Sequence, residues 1–390
     1  MRAAAANVVE RGGTSLIDLS HRIHAHPEVA WEEERASGWV SDAMADGGFS
    51  VTSSAYGLPT AVEAVRGVGP LTVIVCAEYD ALPGIGHACG HNVIAASSVG
   101  AALALGAVAD ELGLRVVLLG TPAEEGGGGK IELLSRGAFE GAHLALMAHP
   151  GPVDVARAEA YAVSHAKVCY DGKATHAAAY PEAGVNASDA FTVAQVALGL
   201  LRQQLPSDAR VHGIITHGGD APNAIPDHTE GRWYVRGTTT TQMLEVEARI
   251  HKCFEAGAVA TGCSLTIAPE SPPYAEFRND VDLLATYVTN AEGLGRRFGD
   301  TDEPAARMNR ASTDMGNVSQ VIPAIHPYIG IDSLPAVNHQ PEFAVAAATS
   351  AADRAILDAA TALALTVVDV ASDTSQRERL LAGSARGCDA

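Results

Sequence analysis

From Leu71 to Met147 the chain alternates short apolar, β-branched runs with longer stretches whose hydrophobic residues recur at helical spacing. Leu71–Cys76, Arg115–Gly120 and Ala142–Met147 read as strands, Val93–Val108 and Ile131–Arg136 as helices. Strands that are apolar throughout, with no polar alternation, are those buried on both faces, as in a parallel sheet covered by helices. Upstream, Ser15–Ile23 and Glu32–Ala45 read as helices, linked by His24-Ala25-His26-Pro27-Glu28, where the two histidines are expected to stabilise the turn. The alternation predicts an α/β domain with a mostly parallel sheet.

The rhythm changes near residue 162. Val163–Tyr170 alternates like a half-buried strand, Ala187–Gln204 is helical, Val211–His217 and His228–Arg236 are strands, Thr241–Gly257 is helical, and Ser264–Ala268 closes the set. Strand-helix-strand-strand-helix-strand is the order of a ferredoxin-like α+β unit. After Pro272-Pro273 helices and short strands return, ending in a long helix at Ala346–Ala371 and a polar tail from Ser372 that is expected to fray. The prediction is therefore two domains: 1–161 with 272–390, and an inserted domain at 162–271. A chain of 390 residues fits that number.

Composition narrows the picture without deciding it. Hydrophobic content of 47% with only 5% aromatics implies a large core of Ala, Val, Leu and Ile. A formal net charge of −20 argues against nucleic acid or an anionic membrane as partner. The cysteines at 76, 89, 169, 253, 263 and 388 are too scattered for a disulfide scaffold, and those other than Cys89 are expected in the core. Residues 1–13 lack an apolar leader, and no stretch reads as long and apolar enough to span a bilayer, so a cytoplasmic, reduced setting is expected.

The chemistry concentrates at predicted strand ends. Asp80, Glu124, Glu125 and His149 each follow a strand, where sheets of this class gather their ligands. Cys89 and His91 flank Gly90, and His339 lies far downstream in Val337-Asn338-His339-Gln340-Pro341. Taken singly, each has an ordinary reading: Cys89 as core filler, the acid pair as a helix-opening turn, Asp80 as a turn cap, the histidines as loop residues. Together, a thiolate, three imidazoles and a carboxylate can hold one or two divalent metals, and a second carboxylate can take a proton from water.

The ordered series His24-Ala25-His26-Pro27-Glu28, Tyr79-Asp80-Ala81-Leu82-Pro83, Ala88-Cys89-Gly90-His91-Asn92, Pro122-Ala123-Glu124-Glu125, Ala148-His149-Pro150, Gly172-Lys173-Ala174-Thr175-His176 and Asn338-His339-Gln340-Pro341 resembles the aminoacylase and carboxypeptidase G family of dinuclear metallohydrolases. The nearest branch holds hippurate hydrolase, the indole-acetyl-amino-acid hydrolases and p-aminobenzoyl-glutamate hydrolase. Ser312-Thr313-Asp314-Met315-Gly316-Asn317-Val318-Ser319 points within it to p-aminobenzoyl-glutamate hydrolase and mammalian dipeptidase-like homologues. Where other branches carry a His-x-Asp motif this chain has Glu78-Tyr79-Asp80, a departure usual where Cys89 and His91 join the metal site.

The resemblance implies two divalent ions per subunit, zinc or manganese, held by Cys89, His91, Glu125, His149 and His339. They would share a water made acidic by their charge. Glu124 becomes the general base, Asp80 a support for a ligating imidazole, and His176 an oxyanion donor. Asn223 is expected to bind the substrate carboxylate, and Arg236 has an equal claim as a structural ion-pair partner. The insert is implied to act as lid and dimerisation domain, with His176 reaching its own site or a partner's. The substrate is then a small molecule: an N-acyl amino acid, a p-aminobenzoyl-glutamate-like conjugate or a small dipeptide. A deacetylase or desuccinylase of a metabolic intermediate would use the same machinery; a non-catalytic metal-binding subunit of a heteromeric hydrolase is the reading from another class.

Overall fold

The computed structural model describes residues 1–299 and 303–383, so Cys388 lies outside the described residues. The chain divides into two compact units, Met1–Ala160 with Phe277–Ala390, and Tyr161–Glu276. The second ends a few residues beyond Pro272-Pro273. Tyr274 exchanges backbone hydrogen bonds with Val163 at 2.9 Å, and Glu276 accepts from the Thr240 backbone and hydroxyl at 2.7 Å, which keeps this stretch with the second unit.

The first unit is built on a six-stranded sheet in the order Ser50–Ser53, Val62–Arg66, Leu114–Gly120, Leu71–Ala77, Leu144–Leu146, Ala324–Ile325. The last four strands pair in parallel and the first two are antiparallel additions at one edge. The sequence reading missed that antiparallel pair because Ser50–Ser53 is short and mostly exposed, with little hydrophobic pattern to betray it. Leu71–Ala77 is buried at every residue, as an interior parallel strand must be.

Helices cover this sheet, and the most enclosed is His91–Gly106, nearly every residue of which is buried. The helix Arg2–Ala25 begins well before Ser15. Ala5, Val9, Leu16, Leu19 and Ile23 form its buried stripe, and tertiary packing carries the helix through Gly12-Gly13 despite their low propensity. The expectation of no membrane-length apolar stretch needs correction. Ser350–Ser372 is long and apolar enough by composition, but 78% of its most apolar window is buried inside the protein, so core packing accounts for it.

The tail is corrected too. Thr374–Gly383 is helical, and side chains anchor it. Arg377 donates to the carbonyls of Leu112 at 2.7 Å and Gly113 at 3.2 Å, Arg379 grips both oxygens of Asp280, and Leu380 is buried.

The second unit has a four-stranded antiparallel sheet in the order Ser264–Pro269, Ala162–Asp171, His228–Gly237, Arg210–His217. Along His228–Gly237, Thr229, Gly231, Trp233 and Val235 are buried while the residues between are not, the alternation of a sheet with one covered face. Tyr170, Phe191, Trp233 and Phe254 pack ring against ring beneath it, with Phe191 and Phe254 supplied by helices Ala187–Leu201 and Thr240–Thr261. Cys169 corrects the expectation of a core residue: it is only half-buried and lies on the strand Ala162–Asp171, whereas Cys76, Cys253 and Cys263 are buried.

Candidate metal centre

Four consecutive parallel strands end at the same edge and deliver the site. Leu71–Ala77 runs into Glu78-Tyr79-Asp80, Leu114–Gly120 into Glu124-Glu125, Leu144–Leu146 into His149, and Ala324–Ile325 into His326. Cys89 and His91 arrive at the start of the buried helix His91–Gly106. Between them Gly90 has φ +82°, and a Cβ there would stand 2.5 Å from Pro150 Cγ, so only glycine permits this turn.

Cys89, His91 and His149 present ligand atoms within 4.8 Å of one another, as do Cys89, Glu125 and His339. Cys89 Sγ lies 3.5 Å from His149 Nε2, and His339 Nε2 lies 3.3 Å from Glu125 Oε1. His339 is held in a left-handed backbone conformation, φ +68°, with its N–H on the Ala88 carbonyl at 2.8 Å. Asn338 beside it reaches the carbonyls of Cys89 and Pro150.

The imidazoles are fixed from behind. His91 Nδ1 sits 2.9 Å from Asp80 Oδ1, and Asp80 Oδ2 accepts the Glu125 N–H at 2.9 Å, so one carboxylate orients two of the grouped residues. His149 Nδ1 faces the Pro150 carbonyl at 2.8 Å, which leaves Nε2 directed at Cys89. Burial, then the neighbouring His326 and His91, hold His149 well below its ordinary pKa and therefore neutral. Burial works against charging His91, but the Asp80 carboxylate outweighs it and raises His91 well above the usual imidazole range. For Asp80, burial pushes upward, and the His91 charge and hydrogen bond overcome it to hold the carboxyl low.

Glu124 is buried beside this cluster, its Oε2 3.9 Å from His91 Nε2. Burial first, then the charges of Glu78, Glu125 and Asp314, push its carboxyl well above the ordinary range, with His91 opposing. The preceding Ala123 has φ +57° and donates its N–H to Glu33 Oε1 at 2.8 Å. Glu33, pushed up to about 7 by burial and then Asp80, thus clamps the turn that aims Glu124.

Of the residues singled out in the sequence, Asp80, Cys89, His91, Glu124, Glu125, His149 and His339 stand together in the first unit. His176 and Asn223 stand together in the second: His176 pairs with Ala224 across a β-bridge, and Ala177 donates to the Asn223 carbonyl at 2.9 Å. His176 is exposed and its Nδ1 accepts from the Ala178 and Ala179 N–H groups at 3.2 Å. Arg236 donates to His212 Nε2 at 3.2 Å. In the linking turn, His24 reaches the Ala344 carbonyl and His26 that of Arg22.

Sequence reasoning missed four residues around the cluster. Glu33 carried no signal beyond an acidic run. Glu78 and Asp314 stood in noted motifs without an assigned role, and Lys130 is a rare lysine closing the Gly126–Gly129 run. A Cβ on Gly129 would stand 1.8 Å from the Pro122 carbonyl oxygen, so this loop folds back on itself only as glycine. His326 also escaped notice; it is fully buried, 5.5 Å ring to ring from His149, and burial pushes it down to about 4.

The donor set fits divalent metal ions. It combines a thiol, imidazoles and carboxylates, and the buried Glu78 Oε2 and His91 Nε2 have no hydrogen-bond partner.

Comparison with known proteins agrees. The model of peptidase family M20/M25/M40 matches residues 74–367. The chain is 40% identical to the Xaa-Arg dipeptidase of Mus musculus over 388 residues, covering 95% of this chain and 89% of that protein. It is 29% identical to a p-aminobenzoyl-glutamate hydrolase of Escherichia coli, over 65% of this chain and 57% of that one. Among solved structures, a dinuclear metal-binding M20 peptidase of Bacillus subtilis superposes with a TM-score of 0.70 at 21% identity, covering 93% of this chain and 99% of its own. The chain belongs to peptidase family M20/M25/M40 and is a hydrolase of small amide bonds.

Proposed function

We propose that this protein hydrolyses small dipeptides, with a C-terminal basic residue as the first substrate to try, and that N-acyl amino acids and p-aminobenzoyl-glutamate-like conjugates mark the breadth of its pocket. The observation that carries the reading is the convergence of Cys89, His91, Glu125, His149 and His339 around the buried Glu124. The preference for a dipeptide draws on the 40% identity to the Xaa-Arg dipeptidase over nearly the whole chain.

In this reading the five ligands hold two divalent ions, zinc or manganese, with Cys89 common to both groups. Bound there, the ions supply positive charge that polarises the scissile carbonyl and makes a water acidic. Glu124 takes the proton of the attacking water on its carboxylate and returns it to the nitrogen of the leaving amine. Asp80 keeps His91 turned by its Nδ1, and the Pro150 carbonyl does the same for His149.

The second unit, ferredoxin-like in its strand order, serves in this proposal as lid and homodimerisation module in a cytoplasmic enzyme. His176 there donates to the oxyanion, and Asn223 binds the substrate carboxylate. What supports the dimer is the edge strand Arg210–His217, paired on one side only and exposing Ile214 and Ile215.

The test is mass spectrometry of metal-loaded protein, with a chelated control, against Xaa-Arg dipeptides, β-alanyl dipeptides, p-aminobenzoyl-glutamate and N-acyl amino acids. Metal-dependent release of free arginine is the expected result. Cleavage of N-acetyl or N-succinyl metabolites alone would replace the dipeptide with the deacylase reading, and no cleavage by fully loaded protein would leave a non-catalytic subunit. If His176 acts across a dimer, inactive His176→Ala and Glu124→Gln subunits regain activity on re-pairing; verified heterodimers without recovery would rule out sharing between subunits.

A further inference from the structure

Behind the metal cluster lies a second layer of charge that none of the roles above uses. The Lys130 ammonium is completely buried and donates to Glu78 Oε1 and, at 2.6 Å, to Asp314 Oδ1. Asp314 Oδ2 in turn accepts the Lys130 backbone N–H at 2.8 Å. Glu78 and Asp314 are themselves fully buried. One ammonium thus faces two carboxylates in a dry interior, an arrangement that retains excess negative charge unless another cation joins it.

The excess sits on a particular atom. Both Asp314 oxygens are occupied by Lys130, and one Glu78 oxygen is as well. Glu78 Oε2 is left without a hydrogen-bond partner, 3.6 Å from His91 Nε2, which has none either. Glu78, His91 and Glu124 offer ligand atoms within 4.8 Å of one another. A carboxylate serving only to pair with Lys130 would turn its second oxygen to a protein donor, because a buried acceptor left unmet is costly.

We propose that Glu78 is a further ligand of the metal ion held by Cys89, His91 and His149, and that Lys130 and Asp314 form the buttress that fixes its free oxygen. The inference rests on the metal-binding reading of the cluster given above. It also gives the Gly126–Gly129 run a purpose: the loop that begins at Glu124 must fold back tightly for Lys130 to reach beneath Glu78. It places Asp314, in the stretch Ser312–Ser319, at the far end of the same device.

The experiment is a calorimetric titration of chelator-stripped protein with zinc or manganese, with metal content by elemental analysis and melting followed with and without metal. Glu78→Gln keeps the side chain's shape and its acceptor for Lys130, but replaces the charged oxygen facing His91. The expected result is that one of two sites weakens at least about tenfold while the other persists. The metal-induced rise in melting temperature shrinks accordingly, because that rise follows the logarithm of metal concentration over Kd.

A purely structural role would instead lower the melting temperature of the stripped protein and leave both affinities intact, and that outcome overturns the proposal. Wild-type protein that binds no metal would overturn the parent reading first, so the two failures are distinguishable. Should Glu78→Gln fail to fold, Glu78→Asp retains the charge but withdraws the oxygen by one methylene. It is expected to weaken the same site, and unchanged binding at both sites would equally refute the assignment.

Discussion

Cys89, Glu125 and His339 bring a thiol, a carboxylate and an imidazole within 4.8 Å of one another, and so do Cys169, Glu230 and His228 on the sheet of the second unit. The residue types match; the surroundings do not. Around Cys89 the supporting contacts take the far side of the neighbouring side chains, as Asp80 does for His91 and the Pro150 carbonyl for His149. Around Cys169 the charges meet each other instead. Lys167 Nζ is 2.6 Å from Glu230 Oε1, while His228 touches Asp171 at 2.6 Å through Nδ1 and Glu230 at 3.2 Å through Nε2. A metal centre is therefore defined less by its ligands than by what lies behind them.

The largest expected effect tests the acid beside the first cluster. Glu124→Gln preserves shape and leaves all five grouped ligands untouched, so metal content should stay at the wild-type level. Turnover should fall on the order of 10²–10⁴-fold, the usual contribution of a positioned general base. Near-normal turnover at full metal occupancy would remove Glu124 from that role.

Next comes the shared thiol. Because Cys89 belongs to both groups of the first cluster, Cys89→Ala should reduce bound metal more than loss of a residue belonging to one group alone, such as His339→Ala. The affinity loss should be at least about 10- to 100-fold by calorimetry. If His339→Ala loses more metal than Cys89→Ala, the thiol is not common to the two sites.

How far this was legible in the sequence follows the same contrast. Leu71–Ala77 and Leu114–Gly120 announced themselves because an interior parallel strand must be apolar on both faces. Cys89, Glu124 and His149 were readable because they follow strand ends or flank a hinge glycine. The buttress was not, since Glu78, Lys130 and Asp314 are far apart in the chain and only the fold brings them together. Lys130 in particular reads as a solvent-facing lysine until its burial is known. The helical tail escaped for a related reason: Arg377 and Arg379 look like solvated charges, yet they bind carbonyls and a carboxylate contributed by distant segments.

A smaller effect concerns pH. In the metal-free protein His91 is raised well above its usual range, because the Asp80 charge outweighs burial. His339 is raised too, by its hydrogen bonds with Cys89 and then Glu125, although water on its exposed side tempers the attraction. Both rings must be neutral to bind metal, so uptake should release protons and apparent affinity should rise with pH through the neutral range. Titrations in buffers of different ionisation enthalpy count those protons, and a count of zero would contradict protonated histidines at this cluster.

The smallest expected effect is the control that the comparison demands. Cys169→Ala should leave bound metal and turnover unchanged. Its cluster is already neutralised, with the Lys167 ammonium on Glu230, and His228 raised by hydrogen bonds to Asp171 and then Glu230 so that it carries charge of its own. A divalent ion would have to displace Lys167 and deprotonate His228, and burial already pushes the Cys169 thiol up, away from its thiolate form. Because the folded-state pKa of His228 is raised, its contribution to stability is complete below the unfolded imidazole's pKa and is lost as pH rises through the raised value. Glu230→Gln should therefore narrow the acid-side stability of the second unit without altering metal content. If either substitution instead removes one equivalent of metal from the wild-type complement, then proximity of ligand types is enough to make a site in this protein, and what lies behind the ligands is not what separates the two clusters.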